Sequence, residues 1–222
     1  MKTICNLRVV GWPIVCVLAI GLATSAQAGS IDIVPIPPSP LLPNTTTHDI
    51  LLDSDPGEFI GASEIYLQLV TGSVLYAVGG AIPLAPTAAD IIISPPREYL
   101  TFLACGSSIS PPACSVVGAS QNLGSPNTGG PAVFAPATLD AIWGPALGQD
   151  TSGVVDWLTA RITMTDNAAG FVRYRTNFFG NGPQTLDLPI YRGIIGIPEP
   201  ANACLCAVAI LGVTVAMRRR SR

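Results

Sequence analysis

Charge is scarce in this chain: only 11% of its 222 residues are Asp, Glu, Lys or Arg. It has one histidine, His48, and one lysine, Lys2. A single imidazole leaves little room for Ser-His-Asp, Cys-His or His-rich zinc arrangements. His48 sits beside a proline-rich stretch and reads as a solvent or turn histidine rather than a catalytic base. No Gly-x-Ser-x-Gly, phosphate-binding loop or His-Glu-x-x-His occurs, so the common hydrolase, nucleotide and zinc-protease signatures are missing. Long helices are also disfavoured, because 22 Gly and 21 Pro punctuate the sequence densely.

The long apolar runs lie at the two ends. Lys2 and Arg8 precede an apolar stretch over 9–23, and Ala26-Gln27-Ala28 is a small-x-small cleavage signal. Residues 1–28 therefore read as a signal peptide, with a mature chain starting at Gly29. Val15 is too bulky for a lipoprotein signal at Cys16. At the other end, 201–217 holds only Asn202 and Thr214 as polar residues and no charge, and Arg218, Arg219, Arg220 and Arg222 follow. As a helix that run spans about 25 Å, near the lower limit for a hydrocarbon core of about 30 Å. The arginines resist translocation, so the expected topology is N-out, C-in, with the middle of the chain outside the cytoplasm.

Pro198-Glu199-Pro200, the adjoining apolar run and the terminal arginines resemble the PEP-CTERM sorting signal of Gram-negative-type bacteria. The resemblance covers about the last 25 residues and stops there. It implies an exosortase as processing partner, a transient membrane anchor, then release or re-attachment at the cell surface, in association with extracellular polysaccharide and biofilm matrix. The 201–217 run is richer in Ala and Cys, and poorer in Leu, than is usual for that signal. A sortase reading of Leu42-Pro43-Asn44-Thr45-Thr46 fails because the glycine is missing and no membrane helix follows.

Between the signals, residues 29–197 carry 13 Asp and Glu against 5 Arg and no Lys, a formal net charge of −8. Such a surface suits a soluble exported protein and does not suit nucleic acid, whose phosphates need neutralising. Of the six cysteines, only Cys105 and Cys114 fall in this span, and they are expected to form a disulfide closing a short Gly/Pro loop. Loop-closure entropy puts its contribution at about 2.5–3 kcal/mol.

Many short strand signals separated by turns point to an all-β fold, a single antiparallel β-sandwich over 48–191. A proline-rich arm over 29–47 is expected before it and a linker over 192–197 after it. The clearest strand is 157–165, with Leu158, Ala160, Ile162 and Met164 on one face and Thr159, Arg161, Thr163 and Thr165 on the other, half-buried. Turn residues 166–170, with Gly170 free for positive φ, lead to a returning strand over 171–177, together a β-hairpin. Residues 64–70 form another strand, with Ile65, Leu67 and Leu69 inward, turning at Thr71-Gly72 to a partner over 73–78. Shorter candidates are 48–52, 91–93, 99–104, 115–117, 132–134 and 186–190. Residues 139–143 and 154–158 are ambiguous, the former compatible with a helical turn.

Two constellations carry candidate chemistry. Asp53, Asp55 and Glu58 surround a Pro-Gly turn and offer oxygen ligands for Ca²⁺, against the plainer reading of an exposed acidic turn. No other metal or cofactor is indicated. Trp143, Trp157, Tyr66, Tyr76, Tyr99, Tyr174 and Tyr191 offer planes for sugar stacking, though most aromatics in a small sandwich belong to its core. A glycosidase needs two paired carboxylates, and none of the 13 acids stands out as a pair. The expectation is a non-catalytic structural or interaction protein. The alternatives are a carbohydrate-binding module and, third, a carboxylate-dependent glycan hydrolase.

Overall fold

The computed structural model describes residues 29–77, 84–109 and 113–196. The leader, the 198–200 motif, the 201–217 run and the arginine tail lie outside the described residues. Among the described residues no helix is long and apolar enough to cross a membrane.

The chain folds into two antiparallel sheets. The smaller orders β1 (Ser30–Ile36), β2 (Thr45–Asp53), β8 (Trp157–Thr165) and β4 (Phe102–Gly106). The larger runs β11 (Ile194–Ile195), β10 (Gly182–Tyr191), β9 (Ala169–Phe179), β3 (Phe59–Thr71), β7 (Thr138–Pro145) and β5 (Cys114–Gly118). A short β6 (Val133–Ala135) also pairs with β7. Ile50, Leu52, Leu103, Ile162 and Met164 from the smaller sheet share one core with Ile65, Leu67, Leu139, Val172 and Phe178 from the larger. The arrangement is sandwich-like, as expected. The Cys105–Cys114 disulfide forms, with Cα atoms 5.7 Å apart, and joins β4 of one sheet to β5 of the other.

Several expectations are corrected by pairing. The supposed proline-rich arm contains β1, hydrogen-bonded along its length to β2. Proline lacks a backbone donor, which an edge strand tolerates, and Pro35 lies opposite His48 on that edge. The supposed linker contains β11, which closes on β10, and Ile195 is buried. Residues 139–143 belong to β7, not a helical turn. Residues 91–93 belong to a six-residue helix, α1 (Ala88–Ile93), because Thr87 and Asp90 form a reciprocal capping box that nucleates it. After Gly72 the chain leaves β3, and Val74 and Tyr76 make isolated bridges to Met164 and Thr101 instead of a partner strand.

Strand β8 keeps its expected bounds but is buried on both faces, not one. Its ladder with β2 steps from Ile50↔Ala160 to Leu51↔Leu158, leaving Thr159 as an unpaired bulge. The extra residue reverses the alternation below it. Leu158 joins Phe102, Ala104 and Ala85 in a second cluster outside the main core, and Thr159 meets Ser63 and Tyr174 of the opposite sheet. The outer polar face is covered by 84–101, where Thr163 N–H donates to Thr101 Oγ1 at 2.8 Å and Thr101 Oγ1 donates to Thr163 O at 3.1 Å.

The expected 157–177 hairpin does not form. Strand β8 pairs with β2 and β4, whereas β9 pairs with β3 and β10, so residues 166–168 carry the chain from one sheet to the other. Gly170 is not at positive φ. It is needed because a Cβ there would collide with the Gln68 carbonyl of β3.

Candidate functional site

The acidic turn after β2 does not gather its carboxylates on a common point. Asp53 accepts from Ser30 Oγ at 3.1 Å and from Asp156 N–H at 2.7 Å. Glu58 is buried and accepts from the N–H of Gly29 at 3.0 Å, the N–H of Asp55 at 3.0 Å and Asn181 Nδ2 at 2.6 Å. The backbone carbonyl of Asp55 accepts from the N–H groups of Glu58 and Gly153. Among the described residues no group of three or more His, Cys, Asp or Glu is placed to hold a metal ion.

The other buried acids have loops and strands to hold. Glu64 accepts from the N–H groups of Gln121 and Asn122, each at 2.9 Å, and pairs with Arg175 at 3.0 Å. Asp140 accepts from Ser120 N–H at 2.7 Å, from Asn127 Nδ2 at 3.2 Å and from the Ser125 hydroxyl. Together they fasten the β5–β6 connection over the outer face of the larger sheet. Asp49 pairs with Arg161 at 2.6 and 2.8 Å, and Arg161 also donates to the Glu98 carbonyl at 2.5 Å. Each of these carboxylates satisfies several donors, the usual requirement for a buried charge.

His48 is neither in a turn nor in solvent. It is buried in β2, in alternation with Ile50 and Leu52, and its Nδ1 has no hydrogen-bond partner. Burial lowers its pKa from the ordinary imidazole value, and the neighbouring Asp49 charge raises it part of the way back. Tyr174 crosses the core to Ser63 Oγ at 2.9 Å and Thr159 Oγ1 at 3.2 Å, and burial pushes its phenol up to about 12. Trp143 packs edge-on against it, with ring centroids 6.2 Å apart, and donates to the Thr159 carbonyl at 3.1 Å. These two aromatics, and the buried Tyr66, are therefore core residues and not a stacking platform.

The exposed aromatic pair is one the sequence patterns did not single out. Phe59 and Phe179 lie opposite each other on β3 and β9, 43% and 58% exposed, on the outer face of the larger sheet. With Gly61, Ala62, Gly144, Val117, Leu147 and Gln149 they line a groove of about 540 Å³. A Cβ at Gly61 would stand 2.9 Å from the Phe179 ring and 3.0 Å from the Asn177 carbonyl. Gln149 Oε1 is buried without a hydrogen-bond partner. An apolar trough lined by aromatic side chains is a common composition for a small-ligand site. The signal that could have found it is the alternation itself. Ile60 and Phe178 fill the core, so Phe59 and Phe179, one residue away on their strands, must face outward.

The chain matches no protein-family model, and neither a curated protein nor a solved structure shows a match to it.

Proposed function

We propose that this chain is an exported, exosortase-sorted surface or matrix protein whose single β-sandwich domain acts by contact rather than catalysis. It is held N-out, C-in by the apolar 201–217 run until processing. The leader, the Pro198-Glu199-Pro200 motif and the arginine tail support the route. The observation that carries the interaction role is the groove between Phe59 and Phe179, an exposed apolar feature on an otherwise acidic domain.

A carbohydrate-binding reading is favoured by one detail of the same groove: its aromatic side chains match the apolar faces of pyranose rings. The secreted protein, screened against acidic and neutral polysaccharides, should bind at least one of them. The F59A/F179A double variant should bind it at least about tenfold more weakly, a loss of about 1.4 kcal/mol. Equal binding by both proteins sends the carbohydrate reading elsewhere on the surface, and no binding by either rejects it.

A further inference from the structure

We propose that Glu58 is the receptor for the α-ammonium group of Gly29, the group freed when the leader is cut between Ala28 and Gly29. The inference rests on the export reading for the cut itself and on the structure for the receptor.

Glu58 is a buried carboxylate in a corner that lacks a positive charge. Its three donors are neutral: two backbone N–H groups and the Asn181 amide. The negative charge around it is dense. Asp32 and Asp53 share the hydroxyl of Ser30, and Asp55 lies on the same turn. The arginines of the described residues are engaged elsewhere. Arg97, Arg161, Arg173 and Arg175 pair with Asp90, Asp49, Asp187 and Glu64, and Arg192 lies over the Tyr191 ring. An uncompensated buried carboxylate is costly, so the fold leaves a specific place for a cation.

The atom at that place is the nitrogen of Gly29, 3.0 Å from Glu58 Oε2 and buried. In the uncut chain it is a neutral amide with one proton. On hydrolysis, water adds across the Ala28–Gly29 bond. Ala28 departs with the new carboxylate, and Gly29 keeps the nitrogen, which takes up protons to become an ammonium. The same contact then becomes an ion pair, with no movement of Glu58 required.

The cradle admits glycine alone. A Cβ on residue 29 would collide with the Asp53 carbonyl and stand 2.6 Å from Phe178 Cε1 and 2.8 Å from Glu58 Oε2. Its own carbonyl accepts from Gln184 Nε2, which fastens the residue from the other side. Glu58 contacts the nitrogen itself. Asp53 and Asp32 meet the next residue through the Ser30 hydroxyl, and Asp55 lies on the Glu58 turn. The neutral Asn181 and Gln184 contact Glu58 and the Gly29 carbonyl, respectively. The acidic turn read as a Ca²⁺ candidate is thus assigned a cation from the chain itself.

An ammonium held by a carboxylate keeps its proton to higher pH folded than unfolded. Its stabilisation is complete below the free α-amine range of about 7.7–8.0 and is lost as pH rises through the folded value. The test begins with the full chain, secreted with its own leader and sequenced from its N-terminus. A start at any residue but Gly29 rejects the cleavage reading. In that event the same chain, released at Gly29 by a tag protease, still tests the receptor. Acylation of the α-amine at pH 8, followed by peptide mass spectrometry, should be at least about tenfold slower than in Glu58→Gln. The melting temperature should fall between pH 8 and 10 in the native protein and not in the variant. If Glu58→Gln does not fold, a chain that retains Ala28 at its N-terminus serves instead, and it should lose the pH dependence and melt lower. Equal acylation rates, or equal melting of the Gly29 and Ala28 chains, overturns the proposal.

Discussion

Arg161 illustrates how far a side chain's surroundings depend on what covers it. In an alternating strand it belongs with the threonines on the polar side, yet it is buried between Asp49, the Glu98 carbonyl and the face of the Phe102 ring. Asp49→Ala would leave that guanidinium buried and unpaired. The expected cost is about 3–5 kcal/mol in urea unfolding, because losing one partner of a buried pair is worse than losing both. His48 carries a second prediction. Burial holds the imidazole neutral, so the folded state binds fewer protons than the unfolded one once the pH drops below about 6.5. Its contribution is present above that pH and lost as pH falls toward the depressed folded value. The melting temperature should therefore decline from pH 6.5 to 5, and His48→Phe should flatten that part of the curve. Neither environment was legible locally, since both come from segments far away in sequence.

Among the elements, pairing was harder to read than existence. The strand at Trp157–Thr165 and the 64–70 part of β3 were visible from period-two alternation, as was the inward set Ile65, Leu67 and Leu69, while the earlier half of β3 was not. The expected 157–177 hairpin was a misreading of pairing, because a turn sequence of Asp, Asn and Gly serves equally a return within one sheet and a crossing between two. The crossing makes Gly170 a packing residue. Gly170→Ala should push the start of β9 off β3 and destabilise the protein by about 2–4 kcal/mol, read as a lowered urea midpoint with little change in slope. The isoleucine run 91–93 shows the opposite failure. Its β-branched residues favour a strand, and the Thr87–Asp90 capping box overrides them. The hydrogen bonds from Thr87, aided by Arg97, hold the Asp90 carboxyl below its ordinary pKa.

For the whole molecule, the proposed route and the proposed contact surface occupy different parts of the chain and can be tested separately. Replacing Arg218, Arg219 and Arg220 with neutral residues removes the charge expected to hold the tail in the cytoplasm. The tail should then become accessible from outside in a protease-protection assay, and unaltered protection would contradict the N-out, C-in topology. Binding at the Phe59–Phe179 groove should be unaffected by that change. The groove itself was only half legible. Outward-facing aromatics come from alternation, but their meeting needs the β3–β9 register, which sets Phe59 opposite Phe179 from far along the chain.

Sequence alone determined the features that obey short-range rules: an acidic span without lysine, strands by alternation and the Cys105–Cys114 bond. These depend on a residue and its near neighbours, or on there being only two cysteines available to meet. Tertiary structure decided which strands pair, which faces are covered and where the carboxylates point. Those outcomes turn on bulges such as Thr159 and on crossings such as 166–168, where a one-residue step changes the partner of every side chain beyond it. Glu58 joins the two levels. The proposed cleavage would make Gly29 a chain end, and it is the fold that brings the Gly29 nitrogen to a buried carboxylate.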